Sequence, residues 1–392
     1  MNILVLNCGS SSIKFALFQE EQKVVKGIIE RIGGEDAIIN YEIPSKDIKH
    51  KTVAAVLTHQ EGIKILVEEI LPQSGIEKID AVGHRVVHGG EKYSSPVIID
   101  ADVKKDIEEC IPMAPLHNPH HLAGIVAIEN FLPKVPNVAV FDTAFFQTIP
   151  QEAAIYGLPY KYYEKYKIKK YGFHGTSHYY LMLRTAEILK TKIEKLKIIT
   201  CHLGNGSSIT AIKYGKSIDT SMGFTPAAGV LMGTRTGDID PEIVSYIQTL
   251  EGLTPKDVSV IINKQSGLLG VSGISNDMRK IIDAMKENHR AQLAFKMFCY
   301  TVKKYISMYI GILNGVDAIV FSAGIGENSY LTRQEILKDM DNLGIVLDQK
   351  LNEKSVGIDA VISSKKSKVK ILVIKTDEEV MIANFTKKLI NS

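Results

Sequence analysis

Two arginines in this 392-residue chain stand beside glycine-rich backbone: Arg85 in HRVVHGG and Arg235 in MGTRTGDID. A guanidinium fork with little bulk around it suits carboxylates and phosphates, and it stabilises charge spreading over a transferring phosphoryl group. Two Gly/Ser turns add a second kind of anion site. NILVLNCGSSSIKFALF (2–18) and KIITCHLGNGSSITAIK (197–213) each pass from an apolar run through small residues into an alternating run. Ser11-Ser12-Ile13 falls on Ser207-Ser208-Ile209 at an offset of 196, half the chain. Backbone N–H groups and hydroxyls in such a concave bend hold phosphate oxygens. An ordinary hairpin is the competing reading for either copy alone. Two copies, each with an Asn close by (Asn7, Asn205), point to a clamp for a polyphosphate.

The histidines gather at His84 and His88, at His117, His120 and His121, and at His174 and His178. No H-E-x-x-H spacing accompanies them and the four cysteines lie elsewhere, which disfavours zinc. His174, between Phe173 and Gly175, is best placed to donate to an anion. Asp142, at the end of an apolar run, offers oxygen ligands that suit magnesium. In KTDEEV, Thr376 and Glu379 have capping-box spacing for a last helix, which leaves Glu378 spare to face a metal. TAIKYGKS (210–217) has Thr210 at the first glycine position of a P-loop, and SAGIGENS (322–329) lacks G-x-G-x-x-G spacing. Neither is a nucleotide fingerprint of those kinds, although the glycines of the second let backbone approach a flat adenine.

The elements that must carry these residues follow from hydrophobic patterning. Ile3–Leu6 is continuously apolar, while Ile13, Phe15 and Leu17 alternate with Lys14 and Ala16. A doubly buried strand and a half-buried partner fit. Spacing over 52–70 predicts a helix. Residues 79–90 and 139–150 read as strands ending in polar turns, and 156–171 as a crossing into the second half. There the hairpin recurs, a helix over 289–313 stops at Asn314-Gly315, and 317–328 is a strand entering a glycine turn. Residues 368–390 close with a strand, a cap and a helix. Strands alternating with helices in two similar halves predict α/β domains around mainly parallel sheets.

Length suits two domains. A net charge of +3 demands neither nucleic acid nor an anionic membrane as partner. Four widely spaced cysteines suggest reduced thiols, and no apolar stretch reaches the ~18–20 residues of a membrane span. MNILVLNC lacks the basic leader and long apolar region of an export signal. A cytoplasmic location is expected.

LNCGSSSIKF, GHRVVHGGE, YGFHGTSH, HLGNGSS, MGTRTGDIDPE, SAGIGENS and TDEE together closely resemble the acetate kinase family, in that family's order and over nearly the whole chain. The resemblance implies two duplicated ribonuclease-H-like domains of the actin-like ATPase kind, here 1–148 with 380–392 and 149–379, with a nucleotide cleft between them. It also implies reversible phosphoryl transfer from ATP to acetate, giving acetyl phosphate and ADP, with Mg²⁺ or Mn²⁺, usually in a homodimer.

By motif position it assigns Arg85 and Arg235 to the phosphoryl group and substrate carboxylate, and His174 to a hydrogen bond with that phosphoryl group. Asn7, Asp142 and Glu378 would fall at the magnesium side. Ser10, Ser12 and Lys14, with His202, Leu203, Gly204, Asn205, Gly206, Ser207 and Ser208, would face nucleotide phosphates. Asp277, Met278, Arg279, Gly324, Ile325, Gly326 and Asn328 would line the adenosine pocket. Val87, Leu116, Phe173 and Pro226 would enclose the acyl methyl.

Departures from the family pattern are Phe146, Met278, Ala227-Ala228 and Asp377. Propionate or butyrate kinase is the nearest alternative, since one methylene is worth only ~1–3 kcal/mol in an apolar pocket; Val87 favours acetate, because propionate enzymes tend to carry a smaller residue there. A nucleotide-gated binding protein of the chaperone or actin type is disfavoured because a single helix follows TDEE.

Overall fold

The computed structural model describes residues 1–392 and divides into two compact units, 1–147 with 377–392 and 148–376. The expected divisions lay one residue further on, after 148, and three further on, after 379. Asp377 caps the helix Glu378–Ile390 and stays with it in the first unit.

The first unit holds β1 (Asn2–Cys8), β2 (Ser12–Gln19), β3 (Gln22–Glu30), β4 (Gly34–Ile43), β5 (Ile48–Val56), β6 (Ala81–Val86), β7 (Val97–Ile98) and β8 (Asn137–Phe141). They form one sheet in the order β5-β4-β3-β2-β1-β6-β8-β7. β1 is antiparallel to β2 and parallel to β6, which is parallel to β8. The apolar run of β1 is explained by burial on both faces. Leu4 and Leu6 pack with Ile13, Phe15, Leu66 and Ile128 on one side, and Ile3 and Val5 with Ala16, Phe18, Ile382 and Ala383 on the other.

The helix expected over 52–70 begins only at His59, behind the Thr58 cap. Residues 48–56 are instead β5, registered against β4. Half-buried Thr52, Ala54 and buried Val56 alternate there with exposed Val53 and Ala55, so the period of two prevails once β4 offers its edge. β3 and β4 were not anticipated from the sequence.

The second unit holds β9 (Lys197–Leu203), β10 (Ser207–Lys213), β11 (Lys216–Thr220), β12 (Ala318–Ser322), β13 (Ala360–Val361) and β14 (Lys370–Val373), in the order β11-β10-β9-β12-β14-β13. β9 is antiparallel to β10 and parallel to β12, which is parallel to β14. The core order β3-β2-β1-β6-β8 of the first sheet therefore recurs as β11-β10-β9-β12-β14, a duplicated α/β arrangement. Both sheets are mixed with antiparallel pairs in the majority, not mainly parallel as expected, because hairpins extend each sheet on one side of its parallel centre. The hairpins differ in their turns. Ile13 precedes Ile209 by 196 residues, yet their partners Cys8 and Cys201 are only 193 apart. The helix His289–Leu313 covers this sheet with Phe295, Phe298, Val302, Ile306, Tyr309 and Leu313, at three- and four-residue spacing. It ends at left-handed Asn314 and Gly315. The glycine turn expected after β12 is the short helix Ala323–Asn328. All four cysteines are free and buried, and no helix is long and apolar enough to cross a membrane.

Candidate active site

In the first unit, Arg85 and Asp142 sit at the C-terminal ends of neighbouring parallel strands, where side chains emerge from the sheet. Asp142, just past β8, is 1% exposed. Arg85 donates from Nη2 to Asp142 Oδ2 at 2.7 Å and from Nε to Oδ1 at 3.1 Å, and its Nη1 lies 3.6 Å from Glu378 Oε2. Burial opposes the charge on Arg85, but Asp142 and Glu378 outweigh it and raise its pKa. Glu378 is the first residue of the C-terminal helix. Its cap, however, is Asp377, which accepts from Val380 N at 3.1 Å. The expected Thr376–Glu379 capping box is absent: Glu379 pairs with Lys14 and with Lys23 at 3.3 Å, and these lysines depress its pKa to about 2 against the opposing effect of burial.

Asn7 faces Lys14 across the β1–β2 hairpin. In its turn Ser10 is exposed, Ser12 half-buried, and Gly9 N donates to the Ser12 carbonyl at 2.7 Å. Lys14 reaches solvent beside its ion pair. Val87 is buried, Leu116 is 42% exposed, and Phe146 is buried.

In the second unit, two groups converge on the β9–β10 turn. A methyl group added at Gly206 would lie 3.4 Å from Arg235 Nη1, 3.4 Å from His174 Cε1 and 3.5 Å from His174 Nε2. The glycine thus leaves a small space lined by a guanidinium and an imidazole edge. Arg235 donates to the Pro226 carbonyl at 3.3 Å and approaches the Met232 sulfur at 3.9 Å, and it makes no ion pair. Burial alone lowers its pKa. A half-buried guanidinium without a counter-ion gives up part of its hydration, and an arriving anion relieves that cost. His174 has left-handed backbone, φ 62° and ψ 27°, at the start of the helix Gly175–Ile188. That conformation is uncommon outside glycine and tends to mark functional positions. Its ring stacks on His202 at 4.2 Å between centroids. His202 Nδ1 meets Ser177 Oγ at 2.8 Å, which meets Thr376 Oγ1 at 2.7 Å. Phe173 is buried, and Pro226 and Ala227-Ala228 are half-buried.

Beside this space lies a cleft of about 690 Å³ lined by Gly204, Asn205, Asp277, Met278, Arg279, Gly324, Ile325 and Asn328. The structure therefore brings these eight expected residues together within one unit. Asp277 caps the helix Met278–Ala284 and holds Arg279 through two nitrogens, at 2.7 and 3.0 Å. Asn205 Oδ1 accepts from Asn276 at 2.9 Å, and a methyl group on Gly233 would fall 2.1 Å from the same oxygen, so only glycine lets that loop close. Three of the expected contacts point elsewhere. Leu203 is a core side chain that can offer a ligand only its backbone, Ser207 Oγ donates to the Gly204 carbonyl, and Ser208 Oγ turns inward to histidines.

The Acetokinase family model matches residues 2–384. The chain belongs to the acetokinase family. It is 53% identical over 399 residues to the acetate kinase of Thermoanaerobacter pseudethanolicus, covering 100% of this chain and 99% of that one. To the acetate kinase of Thermotoga maritima it is 50% identical over 400 residues, with 100% and 99% covered. Among solved structures, Porphyromonas gingivalis acetate kinase superposes with a TM-score of 0.92 at 46% identity, and a propionate kinase from Francisella tularensis with 0.93 at 44%, each covering 99% of both chains.

In this acetokinase-family chain the motifs left several contributors unseen. Asn276, Ile282, Tyr330 and Leu331 also line the cleft. Glu327 Oε1 accepts from Ala323 N at 2.7 Å and Thr376 N at 3.0 Å, which fixes the helix after β12. Arg333 is fully buried and holds the Gly326 carbonyl at 2.8 Å and the Glu327 carbonyl at 3.0 Å from below. Asn276 was legible from its place before Asp277. Glu327 and Arg333 act through backbone contacts that carry no sequence signature.

Proposed function

We propose that the chain catalyses reversible transfer of the γ-phosphoryl group of ATP to a carboxylate oxygen of acetate, giving acetyl phosphate and ADP, in the cytoplasm and as a homodimer. The observation that carries this reading is that the ion-pair-free Arg235 guanidinium and His174 Nε2 face the same space over the Gly206 turn. Acetate is already an anion at neutral pH, so the reaction asks for no general base. It asks for positive charge and donors that offset repulsion between acetate and triphosphate and that hold the loose transition state in line.

His174 and Arg235 take the transferring phosphoryl group. Arg85 takes the substrate carboxylate, with Val87, Leu116, Phe173 and Pro226 around its methyl. The turn holding Ser10, Ser12 and Lys14 and the backbone of residues 202–207 take nucleotide phosphates, and the cleft bearing Asp277, Met278, Arg279 and Gly324–Asn328 takes adenosine. Asp142 and Glu378 are hard oxygen donors drawn toward one guanidinium, a donor set that fits a magnesium ion keeping several waters. With Asn7 they would hold Mg²⁺, which supplies charge neutralisation at the phosphates.

Trapping acyl phosphate with hydroxylamine, with acetate, propionate and butyrate compared under ATP and Mg²⁺, tests the reading. Acetate is expected to give the most hydroxamate. No product from any of the three would overturn the enzyme assignment, and a preference for propionate would move it to the family's other branch.

A further inference from the structure

Behind His174 runs a chain of three wholly buried polar groups. His174 Nδ1 meets Ser208 Oγ at 2.9 Å, Ser208 Oγ meets His178 Nε2 at 2.7 Å, and His178 Nδ1 meets Thr200 Oγ1 at 2.7 Å. Thr200, His178 and Ser208 are each 0% exposed. We propose that Thr200, His178 and Ser208 preset His174 as the tautomer protonated on Nε2, so that it meets the phosphoryl group as a ready hydrogen-bond donor.

The direction of the chain follows from counting protons, beginning at its closed end. The Thr200 hydroxyl has one hydrogen-bond partner, His178 Nδ1. A buried hydroxyl proton without an acceptor is costly, so Thr200 donates and Nδ1 accepts. Burial, with His202 adding to it, keeps His178 neutral, and with Nδ1 accepting from Thr200 its single proton sits on Nε2. That N–H donates to Ser208 Oγ. Ser208 has one proton of its own and one remaining partner, His174 Nδ1, to which it donates. His174 Nδ1 is then an acceptor, and a neutral His174 carries its proton on Nε2, the nitrogen that faces the space over Gly206 beside Arg235. The reverse polarity would leave the Thr200 proton with no acceptor and aim a bare lone pair at an anion.

Thr200 and Ser208 lie on adjacent strands, opposite Thr210 and His202 respectively, and His178 stands one helical turn beyond His174. The hairpin and the helix therefore hold the chain rigidly. The groups act through His174 as positioning residues.

The inference rests on His174 facing the phosphoryl group, and the test separates the two. Two-bond ¹⁵N–¹H correlation spectra of the nucleotide-free enzyme at neutral pH read which ring nitrogen of His174 and His178 is protonated. Nε2–H in both is expected; Nδ1–H in either overturns the proposal. Kinetics give the second readout. Ser208→Ala is expected to lower kcat about tenfold while KM for ATP and acetate stays within about twofold, and Ser208→Thr to restore kcat. His174→Ala is expected to lose about a hundredfold in kcat. If His174→Ala is impaired but Ser208→Ala is as fast as wild type, the chain does no positioning and the proposal fails. If His174→Ala keeps full kcat, the phosphoryl role of His174 fails, while the spectra still decide the chain's polarity.

Discussion

Arg235 separates catalytic from structural importance, because the free protein derives no ion pair from it. Its only oxygen partner is the Pro226 carbonyl at 3.3 Å, and burial lowers its pKa with no opposing charge to raise it. Replacing it with alanine removes a half-buried, unpaired charge from the resting protein and a cation from the transition state. An arginine on a transferring phosphoryl group is worth about 10³–10⁵ in kcat, or roughly 4–7 kcal/mol at 1.36 kcal/mol per decade. The resting fold forfeits one long hydrogen bond and sheds an unpaired charge, effects of about 1 kcal/mol in opposite directions. Arg235→Ala should therefore lose at least a thousandfold in kcat in the hydroxamate assay while melting within a few degrees of wild type. A loss below tenfold would refute the transition-state role. A drop of many degrees in Tm would refute the claim that the guanidinium waits for an anion.

Gly206→Ala places a methyl group against both Arg235 and His174 at van der Waals distance, and should raise KM for ATP about tenfold or more with little change in melting; unchanged kinetics would show that no ligand group enters that space. Arg333 donates to the Asn352 side chain and to the carbonyls of Gly326, Glu327, Asn352 and Ser355, so Arg333→Leu strands several buried oxygens. It should cost about 3–5 kcal/mol in urea unfolding and also weaken ATP binding by loosening Gly326–Asn328. Buried His84 and His88 are each pushed down to about 4 by desolvation, so the unfolded chain binds protons that the folded one refuses. Their stabilisation is full above pH ~6.5 and is lost as pH falls toward 4, at about 1.4 kcal/mol per unit for each. Equal unfolding free energies at pH 7 and pH 5 would contradict this.

What was legible in the sequence shared one property: its cause is local. The doubled hairpin could be read because β1 and β9 are apolar runs buried on both faces, although β2, expected to be half-buried, is also covered on both faces apart from Lys14 and its last residue. The stop at Asn314-Gly315 could be read because left-handed backbone selects those residues. The failures came from distant partners. Thr376 and Glu379 have capping-box spacing, but Lys14 and Lys23, more than 350 residues away, claim the glutamate, and Asp377 takes over the cap. Val53 and its neighbours satisfy a helical period until β4 supplies an edge. Ser208 looks like a phosphate contact in GNGSS, yet β10 turns its hydroxyl toward His174 and His178. Residue types named the groups at the site, and tertiary pairing decided which of them face a ligand.

In the proposed reaction acetate's own oxygen attacks the γ-phosphorus, and ¹⁸O tracing tests that step directly. With doubly ¹⁸O-labelled acetate, ATP and Mg²⁺, the ³¹P resonance of acetyl phosphate should show the isotope shift of one bridging ¹⁸O, growing in step with ADP. Orthophosphate and ADP with no labelled acetyl phosphate would contradict it.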